Sequence, residues 1–383
     1  MKRAFSVFAA MLAAVVLSLT ACAAEPTVSE GAAAVTISNI SAEDAAIAAV
    51  YDGSNTLIGA GMYKNEGSID ISYDDILDKY PDAGYLKLFV WKENMEPQMT
   101  AYGIDLTRYK DEAGRYITLN SGYSMPVLGL GTWTQNDETT ASSVYCALKD
   151  GYRLIDTAQY YGNEKGVGDG VRRAMDEGIV KREDVFITSK VMPMNYDNAY
   201  ASIGKSNEKI GLGYIDLMLI HQSGSNDKQV YRALEQAVKD GTIRSLGISN
   251  YYTPSEFDAI TEGAQIMPAV IQNENHPFYQ NTALQEYVKQ YGTVVESYYP
   301  LGGRGHTQDL LGNDTIKRIA AAHSKTAAQI ILRWHIEAGY ITIPGSSNPD
   351  HIAENYSIFD FELTDEEMQA IAALDTGSRY ELW

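Results

Sequence analysis

The chain has 383 residues and a formal net charge of −20, from 30 Lys and Arg against 50 Asp and Glu. Hydrophobic residues make up 45% of it, which is enough to bury a core and excludes disorder as a global description. The acidic balance argues against a nucleic-acid partner, and the two cysteines exclude a disulfide framework and a cysteine-based zinc site. The length is typical of one large and one small domain.

The first 21 residues are predicted to be a signal peptide. Lys2 and Arg3 precede an apolar run over residues 4–19, which is shorter than the roughly 20 residues that a membrane span needs. The run ends in Leu19-Thr20-Ala21-Cys22, which resembles the lipobox of bacterial lipoproteins and implies lipid attachment at Cys22. We therefore expect an exported lipoprotein at the cell membrane, with residues 22–34 as a tether. Ordinary signal cleavage beside a chance cysteine and an uncleaved anchor are the alternatives.

A small all-β domain is predicted over residues 35–110. Turn signals such as Asp52-Gly53-Ser54-Asn55 separate short strand-like runs, and the only candidate helical turn is at 73–79. The runs lie at 35–40, 45–51, 57–62, 69–73 and 85–91. This pattern predicts a sandwich-like module. Residues 86–91, followed by Met95-Glu96-Pro97, look like an immunoglobulin-like accessory module of secreted enzymes, for which we expect a binding or spacer role.

From Tyr116 onward, apolar strand candidates alternate with helical segments. A hairpin at 116–125 turns through Asn120-Ser121-Gly122, and glycines close helices such as those at 231–240 and 315–338. The strand candidates lie at 127–131, 154–157, 185–189, 215–220, 245–249, 269–272, 293–297 and 341–344. Eight strands with intervening helices predict an α/β fold, a (β/α)8 TIM barrel over residues 116–383. A doubly wound sheet is the competitor, but Gly129-Leu130-Gly131 does not open a helix.

Four chemically active side chains follow neighbouring strands of the predicted barrel. Asp156 and Tyr161 follow the second strand, Lys190 ends the third, and His221 ends the fourth. Catalytic groups of such barrels occupy the carboxyl ends of the strands, so we expect these four on one rim. Each alone has an ordinary explanation as a solvated cation, a core ring or a structural histidine. Their occurrence together predicts an active site.

This constellation resembles the aldo-keto reductase family over residues 116–380. The motifs that carry the resemblance are Leu128-Gly129-Leu130-Gly131-Thr132-Trp133, residues 156–164, Thr188-Ser189-Lys190, Ile220-His221, Gly247-Ile248-Ser249-Asn250, Gln272-Asn273-Glu274-Asn275-His276-Pro277, Tyr298-Tyr299-Pro300-Leu301-Gly302 and Ile343-Pro344. The resemblance implies reduction of small aldehydes and ketones to alcohols by hydride transfer from NADPH or NADH. We expect a monomeric barrel without a metal site.

The resemblance also implies a role for each residue of the site. Tyr161 would be the general acid, although an ordinary phenol has a pKa near 10 and is a weak donor at neutral pH. Lys190 would lower that pKa, and Asp156 would keep Lys190 charged. His221 would hydrogen-bond the substrate oxygen and orient the carbonyl group, and Trp133 would form a wall of the substrate pocket.

Cofactor contacts carry over from the family motifs in the same way. Ser249, Asn250 and Gln272 match positions that hydrogen-bond the nicotinamide amide, and Tyr298 matches the ring that stacks on the nicotinamide. The other positions implied by the resemblance are Gly131, Thr132, Asp156, Leu301, Gly302, Ser346, Glu354 and Asn355. Glycine at 302 and 303 permits a close approach of the backbone to the pyrophosphate, and Arg304 would add charge there.

Four positions and the carboxyl-terminal tail depart from the family pattern. Gly345 and His351 stand where the family often has the Lys and Arg that hold the 2′-phosphate of NADPH. Because both cations are missing, we predict a relaxed cofactor preference or use of NADH. Gln222-Ser223 replaces a common Trp-Pro pair of the pocket wall, and the chain ends soon after the last helix, so we expect an open pocket.

The alternative function is that of an exported cofactor-binding or surface-binding lipoprotein with little or no reductase activity. The export signal favours this alternative, because nicotinamide cofactors are chiefly cytoplasmic. The presence of Asp156, Tyr161, Lys190 and His221 favours catalysis.

Overall fold

The computed structural model describes residues 26–30, 34–52, 56–64, 67–80, 82–92, 97–99, 101–105 and 115–381. The chain divides into two compact units between residues 113 and 114. The predicted signal peptide over residues 1–21, the lipid attachment at Cys22 and the turn at 53–55 lie outside the described residues. Within the residues that are described, no helix combines the length and the apolar character needed to cross a membrane.

The first unit is built from two antiparallel sheets. One sheet has the order β1-β2-β5, from β1 (Thr27–Glu30), β2 (Ala34–Ile40) and β5 (Gly67–Ser72). The other has the order β4-β3-β6-β7, from β3 (Asp44–Asp52), β4 (Leu57–Tyr63), β6 (Ala83–Lys92) and β7 (Tyr102–Asp105). Helix α1 (Tyr73–Lys79) follows β5, and the Ser72 side chain caps it.

Alternating side chains of both sheets form one core in this unit. Val35 and Ile37 of β2 are buried together with Leu86 and Leu88 of β6, while the residues between them are partly exposed. Burial that alternates with a period of two residues is expected for a strand that has one face on a core. The prediction of a small all-β sandwich-like domain is therefore confirmed.

Part of the predicted tether is a strand. Residues 22–34 were predicted to be a tether, and within them Thr27–Glu30 pairs antiparallel with β2, with Thr27 opposite Ser38. Val28 packs against the core of the first unit. Thr and Val favour strands, and a single apolar side chain on the inner face is enough for an edge strand of this length. The abundance of small residues around it obscured this signal.

The second unit is a closed barrel of eight parallel strands, as predicted. A hairpin of β8 (Tyr116–Thr118) and β9 (Ser124–Pro126) precedes it. The barrel strands pair in chain order and are β10 (Gly129–Gly131), β11 (Leu154–Asp156), β12 (Phe186–Val191), β13 (Ile215–Ile220), β14 (Ile243–Ser249), β15 (Val270–Glu274), β16 (Val294–Tyr298) and β17 (Ile341–Thr342). Closure comes from parallel bridges of Leu128 to Thr342 and of Gly131 to Gly345.

Helices surround the barrel. They are α2 (Asp137–Asp150), α3 (Glu164–Asp176), α4 (Ala199–Ile210), α5 (Asp227–Lys239), α6 (Pro254–Thr261), α7 (Thr282–Lys289), α8 (Thr307–Leu311), α9 (Asp314–His323), α10 (Ala327–Glu337), α11 (Pro349–Tyr356) and α12 (Asp365–Ala372). Inside the barrel, Leu119 and Met125 of the hairpin region pack on Leu154, Phe186 and Leu217 near the starts of their strands. The amino-terminal end is thereby filled, so the carboxyl end is the one left for a site.

The single helix predicted over residues 315–338 is two helices, and that prediction was wrong. Ser324 adopts a left-handed conformation with φ 54° and ends α9. Thr326 then caps α10, since its hydroxyl accepts from the Gln329 amide at 3.2 Å and the Gln329 side chain accepts from the Thr326 amide at 3.0 Å. This reciprocal capping box was visible in the sequence as Thr-x-x-Gln.

Candidate active site

A buried ion pair lies at the carboxyl ends of β11 and β12. The Lys190 ammonium donates to both carboxylate oxygens of Asp156 at 2.7 Å each, and to the Thr157 carbonyl at 2.9 Å. Its remaining close partner is the Tyr161 hydroxyl at 3.1 Å. Both charged side chains are almost completely buried. The ion pair therefore holds the Lys190 ammonium in contact with the Tyr161 hydroxyl.

The charges of this pair depend on each other. Burial opposes the Lys190 charge, but Asp156 and Tyr161 outweigh burial and raise the pKa of Lys190 above its usual value. Burial also raises the pKa of Asp156, while Lys190 and then Gln272 oppose that rise. A buried ion pair survives when the partners also satisfy each other's hydrogen bonds, as they do here. We therefore treat Lys190 as charged at neutral pH.

Tyr161 holds its proton more firmly than the sequence led us to expect. It ends a 3-10 turn, Gln159–Tyr161, that follows β11. Burial raises the pKa of its hydroxyl to about 12, and Lys190 limits this rise without reversing it. Lys190 lowers this pKa, as expected, but desolvation is the larger effect, so the net shift of the Tyr161 pKa is upward. A protonated phenol beside an ammonium still has a proton to give and a cation to stabilise the phenolate.

His221 faces Tyr161 from the end of β13. The two ring centroids are 5.8 Å apart with an angle of 77° between the planes. Burial lowers the pKa of His221 to about 3, and the Lys190 charge adds to this effect. Its buried Nδ1 has no hydrogen-bond partner among the described residues. A neutral imidazole can orient a carbonyl group through a hydrogen bond but carries no additional acidic proton at neutral pH.

Aromatic side chains line the outer part of the site. The Trp133 ring lies 4.7 Å from that of Tyr161 and is stacked 5.6 Å from that of Tyr160. The Arg304 guanidinium lies 5.4 Å from the Trp133 ring, within the range of a cation–π contact. Tyr160 is 56% exposed and was not selected in the sequence analysis. The sequence signal that could have identified Tyr160 as a site residue was its position directly before Tyr161.

These side chains border a cavity of about 1180 Å³. Of the residues expected at the substrate or the cofactor, those that line it are Gly131, Trp133, Asp156, Tyr161, His221, Ser249, Asn250, Gln272, Tyr298, Leu301, Ser346, Glu354 and Asn355. Three expected residues do not line the cavity. Lys190 lies beneath Tyr161, Thr132 is fully buried with its hydroxyl on the Asp156 carbonyl at 2.9 Å, and Gly302 shapes the following loop with φ 89°.

A polar network connects the walls of the cavity near His221. Asn250, with φ 64°, donates to the His221 carbonyl at 2.9 Å and accepts from the Tyr298 hydroxyl at 2.8 Å. Gln272 donates from its side-chain nitrogen to Asp156 at 2.9 Å and to Glu296 at 2.7 Å. Glu296 was missed in the sequence analysis. Its signal was an acidic residue within a strand that otherwise reads as buried.

The residues present fit a nicotinamide dinucleotide. The cavity volume of about 1180 Å³ exceeds the roughly 300–1,000 Å³ usual for ligand pockets, so it has room for an extended ligand. At one end are the Tyr298 ring, the Gln272 amide and the His221 Nδ1, for which the described part of the chain offers no hydrogen-bond partner. In the loop after β16, Gly303 lines the cavity and has φ 63°, a left-handed conformation that favours glycine.

The opposite end of the cavity is poor in cations. Gly345, Ser346 and Ser347 line it together with the exposed ring of His351. Among the described residues that line the cavity, Arg304 is the only Lys or Arg. The Glu354 carboxylate accepts from the Thr326 hydroxyl at 2.7 Å and adds negative charge at this end.

Known proteins share this barrel. A family model described as aldo/keto reductase family matches residues 127–376, all within the second unit. An NAD(P)H-dependent D-xylose reductase I,II of Candida tropicalis is 39% identical over 303 residues, covering 69% of this chain and 93% of that protein. A glyoxal reductase of Bacillus subtilis is 41% identical over 267 residues, covering 69% and 94%. The crystal structure of an aldo-keto reductase from a deep-sea metagenome library is 37% identical with a TM-score of 0.66, covering 70% of this chain and 97% of that one.

Proposed function

Because the chain belongs to the aldo/keto reductase family and is an NAD(P)H-dependent oxidoreductase, we propose that it reduces small aldehydes and ketones to alcohols with Tyr161 as the general acid. The observation that carries the proposal is the position of the Lys190 ammonium, which donates to Asp156 and to the Tyr161 hydroxyl at the inner end of the cavity. The proposal is tested by turnover with a panel of small aldehydes and ketones.

The reaction needs a hydride on the carbonyl carbon and a proton on its oxygen. A nicotinamide held by Gln272 and Tyr298 would supply the hydride. His221, neutral at working pH, donates a hydrogen bond to the carbonyl oxygen and fixes its position. Tyr161 transfers its proton to that oxygen as the carbon is reduced, and the resulting phenolate is stabilised by Lys190. Solvent then returns a proton to Tyr161.

The proposed substrates are small and polar. The names of the relatives, D-xylose reductase and glyoxal reductase, denote reduction of a sugar and of a small dicarbonyl compound. In this chain the outer wall has the exposed Tyr160 ring beside Trp133, and Gln222 lies where the family commonly has a tryptophan. An amide in place of a large apolar ring favours hydroxyl-bearing substrates over purely apolar ones.

The rate of reduction should not depend on titration of His221. Because the pKa of His221 is near 3, we expect kcat/KM for aldehyde reduction to stay level from about pH 8 to about pH 5. The stability of the fold should behave differently. The unfolded histidine binds a proton below its ordinary pKa of 6.5 and the folded one does not, so His221 lowers the free energy of unfolding as pH falls from 6.5 towards 3. A loss of kcat/KM with an inflection near pH 6.5 that is absent from a His221→Asn variant would contradict the assignment.

The preference between the two cofactors is proposed to be relaxed, and a double substitution tests this. Gly345→Lys with His351→Arg adds two cations where the cavity lacks them, so we expect the KM for NADPH to fall by about tenfold, as for one added charge-assisted hydrogen bond. The KM for NADH, which has no 2′-phosphate, should not change. A wild-type protein that already uses NADPH far more efficiently than NADH would overturn the proposal.

We also propose, from the sequence alone, that the reductase is exported and anchored through a lipid on Cys22. Its source of cofactor would then lie outside the usual cytoplasmic pool. The mass of the mature amino terminus tests the anchor, and an unmodified Cys22 would overturn it.

A further inference from the structure

Glu296 is a buried carboxyl group that the proposed mechanism does not use. It lies on β16, where the register places it between Gln272 of β15 and Ile341 of β17. Its side chain is fully buried inside the barrel. Burial of an acid in a strand interior destabilises the fold unless its contacts compensate. A specific role at the neighbouring site would account for its position.

The contacts of Glu296 converge on one side-chain amide. Gln272 Nε2 donates to Glu296 Oε2 at 2.7 Å and to Asp156 Oδ2 at 2.9 Å. An amide nitrogen has two protons, so these two carboxyl groups occupy both. The oxygen of the same amide has no part in this pairing, and Gln272 lines the cavity. The Gln272 amide therefore offers only its oxygen, a hydrogen-bond acceptor, to a ligand in the cavity.

We propose that Glu296 is a positioning residue, which holds the Gln272 amide with its nitrogen towards the barrel interior and its oxygen towards the nicotinamide carboxamide. The inference rests on the proposed function, because it requires the nicotinamide to lie at this end of the cavity. It assigns the recognition of the carboxamide N–H₂ group to the pair Glu296 and Gln272. A nicotinamide with an N–H donor at this position is favoured over one without it.

The charge state of Glu296 agrees with this role. Burial and then the Asp156 charge raise the pKa of Glu296 to about 8, so the group is mostly uncharged at neutral pH. An uncharged carboxyl oxygen still accepts from Gln272 and avoids a second negative charge beside Asp156. Glu296 thus contributes a hydrogen-bond acceptor and leaves the Lys190 charge for Tyr161.

The test compares two cofactors that differ only at the carboxamide. NADH has an N–H₂ group there, whereas the reduced 3-acetylpyridine analogue has a methyl group. Binding of each to the full-length protein is measured by quenching of tryptophan fluorescence, since Trp133 lines the cavity. We expect the wild type to bind NADH about fivefold more tightly than the analogue, as for one ordinary hydrogen bond. A wild-type ratio near one would overturn the inference.

Variants of Glu296 test whether this residue causes the difference in affinity between NADH and the analogue. Glu296→Gln keeps an acceptor oxygen at the same reach and should keep the ratio within about twofold of wild type. Glu296→Met has similar length without an acceptor, and Glu296→Thr is too short to reach Gln272, so both should bring the ratio below about two. A general loss of folded protein lowers binding of both cofactors equally and leaves the ratio unchanged.

The outcomes separate the two proposals. A wild-type ratio retained by Glu296→Met or Glu296→Thr overturns the role of Glu296 while leaving the reductase intact. Failure of the wild type to bind either dinucleotide overturns the proposed function and this inference with it.

Discussion

Tyr161→Phe is expected to lower kcat for aldehyde reduction by roughly 10²–10⁴-fold, the range for loss of a general acid. The phenyl ring keeps the packing on Trp133 and His221, so the cavity retains its shape. What is lost is the hydroxyl, and with it both the proton and the acceptor of the Lys190 hydrogen bond. The measurement is NADH oxidation followed by absorbance, together with the dissociation constant of NADH, which should remain within about twofold of wild type.

Tyr145→Phe is the matched control. Its hydroxyl also forms a side-chain hydrogen bond, donating to the Glu177 carboxylate at 2.6 Å, but Tyr145 lies on α2 and does not line the cavity. This variant should keep wild-type kcat. If Tyr161→Phe kept comparable activity, the acid would be another group, and the proposed mechanism would be wrong.

Lys190→Met is expected to affect both activity and stability. Asp156 would remain buried without its cation, and removal of one partner of a buried pair destabilises a fold by about 3–5 kcal/mol. The phenolate formed by proton transfer would lose the ammonium that stabilises it, so kcat should fall by at least about 10²-fold. Denaturant unfolding measures the first effect, and steady-state kinetics measure the second.

A double variant separates the two effects. Asp156→Asn combined with Lys190→Met removes both charges and should recover most of the stability, but none of the activity. Lys228→Met is the control for the substitution itself, because Lys228 forms a solvent-exposed pair with Glu262 at 2.7 Å, and exposed pairs contribute little to stability. Equal unfolding free energies for Lys190→Met and Lys228→Met would show that the buried pair does not stabilise the barrel.

The barrel was predictable because each of its strands is short, apolar and followed by a helix with its own stop signal. The eight predicted strands each overlap an observed one, and the hairpin at Asn120-Ser121-Gly122 joins β8 and β9. Thr27–Glu30 was missed because pairing with β2, which lies further along the chain, makes it a strand. The break at Ser324 was missed because the apolar period continues on both sides of it.

The site was predictable in its composition but not in its energetics. Asp156, Tyr161, Lys190 and His221 were selected from their positions after consecutive strands, and the structure brings them together. The direction of the Tyr161 pKa shift was not predictable, because it depends on how completely the folded chain excludes water from the hydroxyl. Glu296 shows the same limit. Its contact with Gln272 joins adjacent strands, whereas its proximity to Asp156 comes from closure of the barrel.

Transfer of deuterium from NADH labelled at the reactive carbon is the most direct test of the central claim. The purified full-length protein is incubated with labelled NADH and a panel of small aldehydes, including xylose and glyoxal, and the alcohols are examined by mass spectrometry. We predict an alcohol carrying one deuterium from the wild type, and at least about 100-fold less of it in the same time from Tyr161→Phe, although that variant still binds NADH. Saturable binding of NADH by the wild type without labelled alcohol from any substrate would contradict the account and favour a cofactor-binding lipoprotein instead.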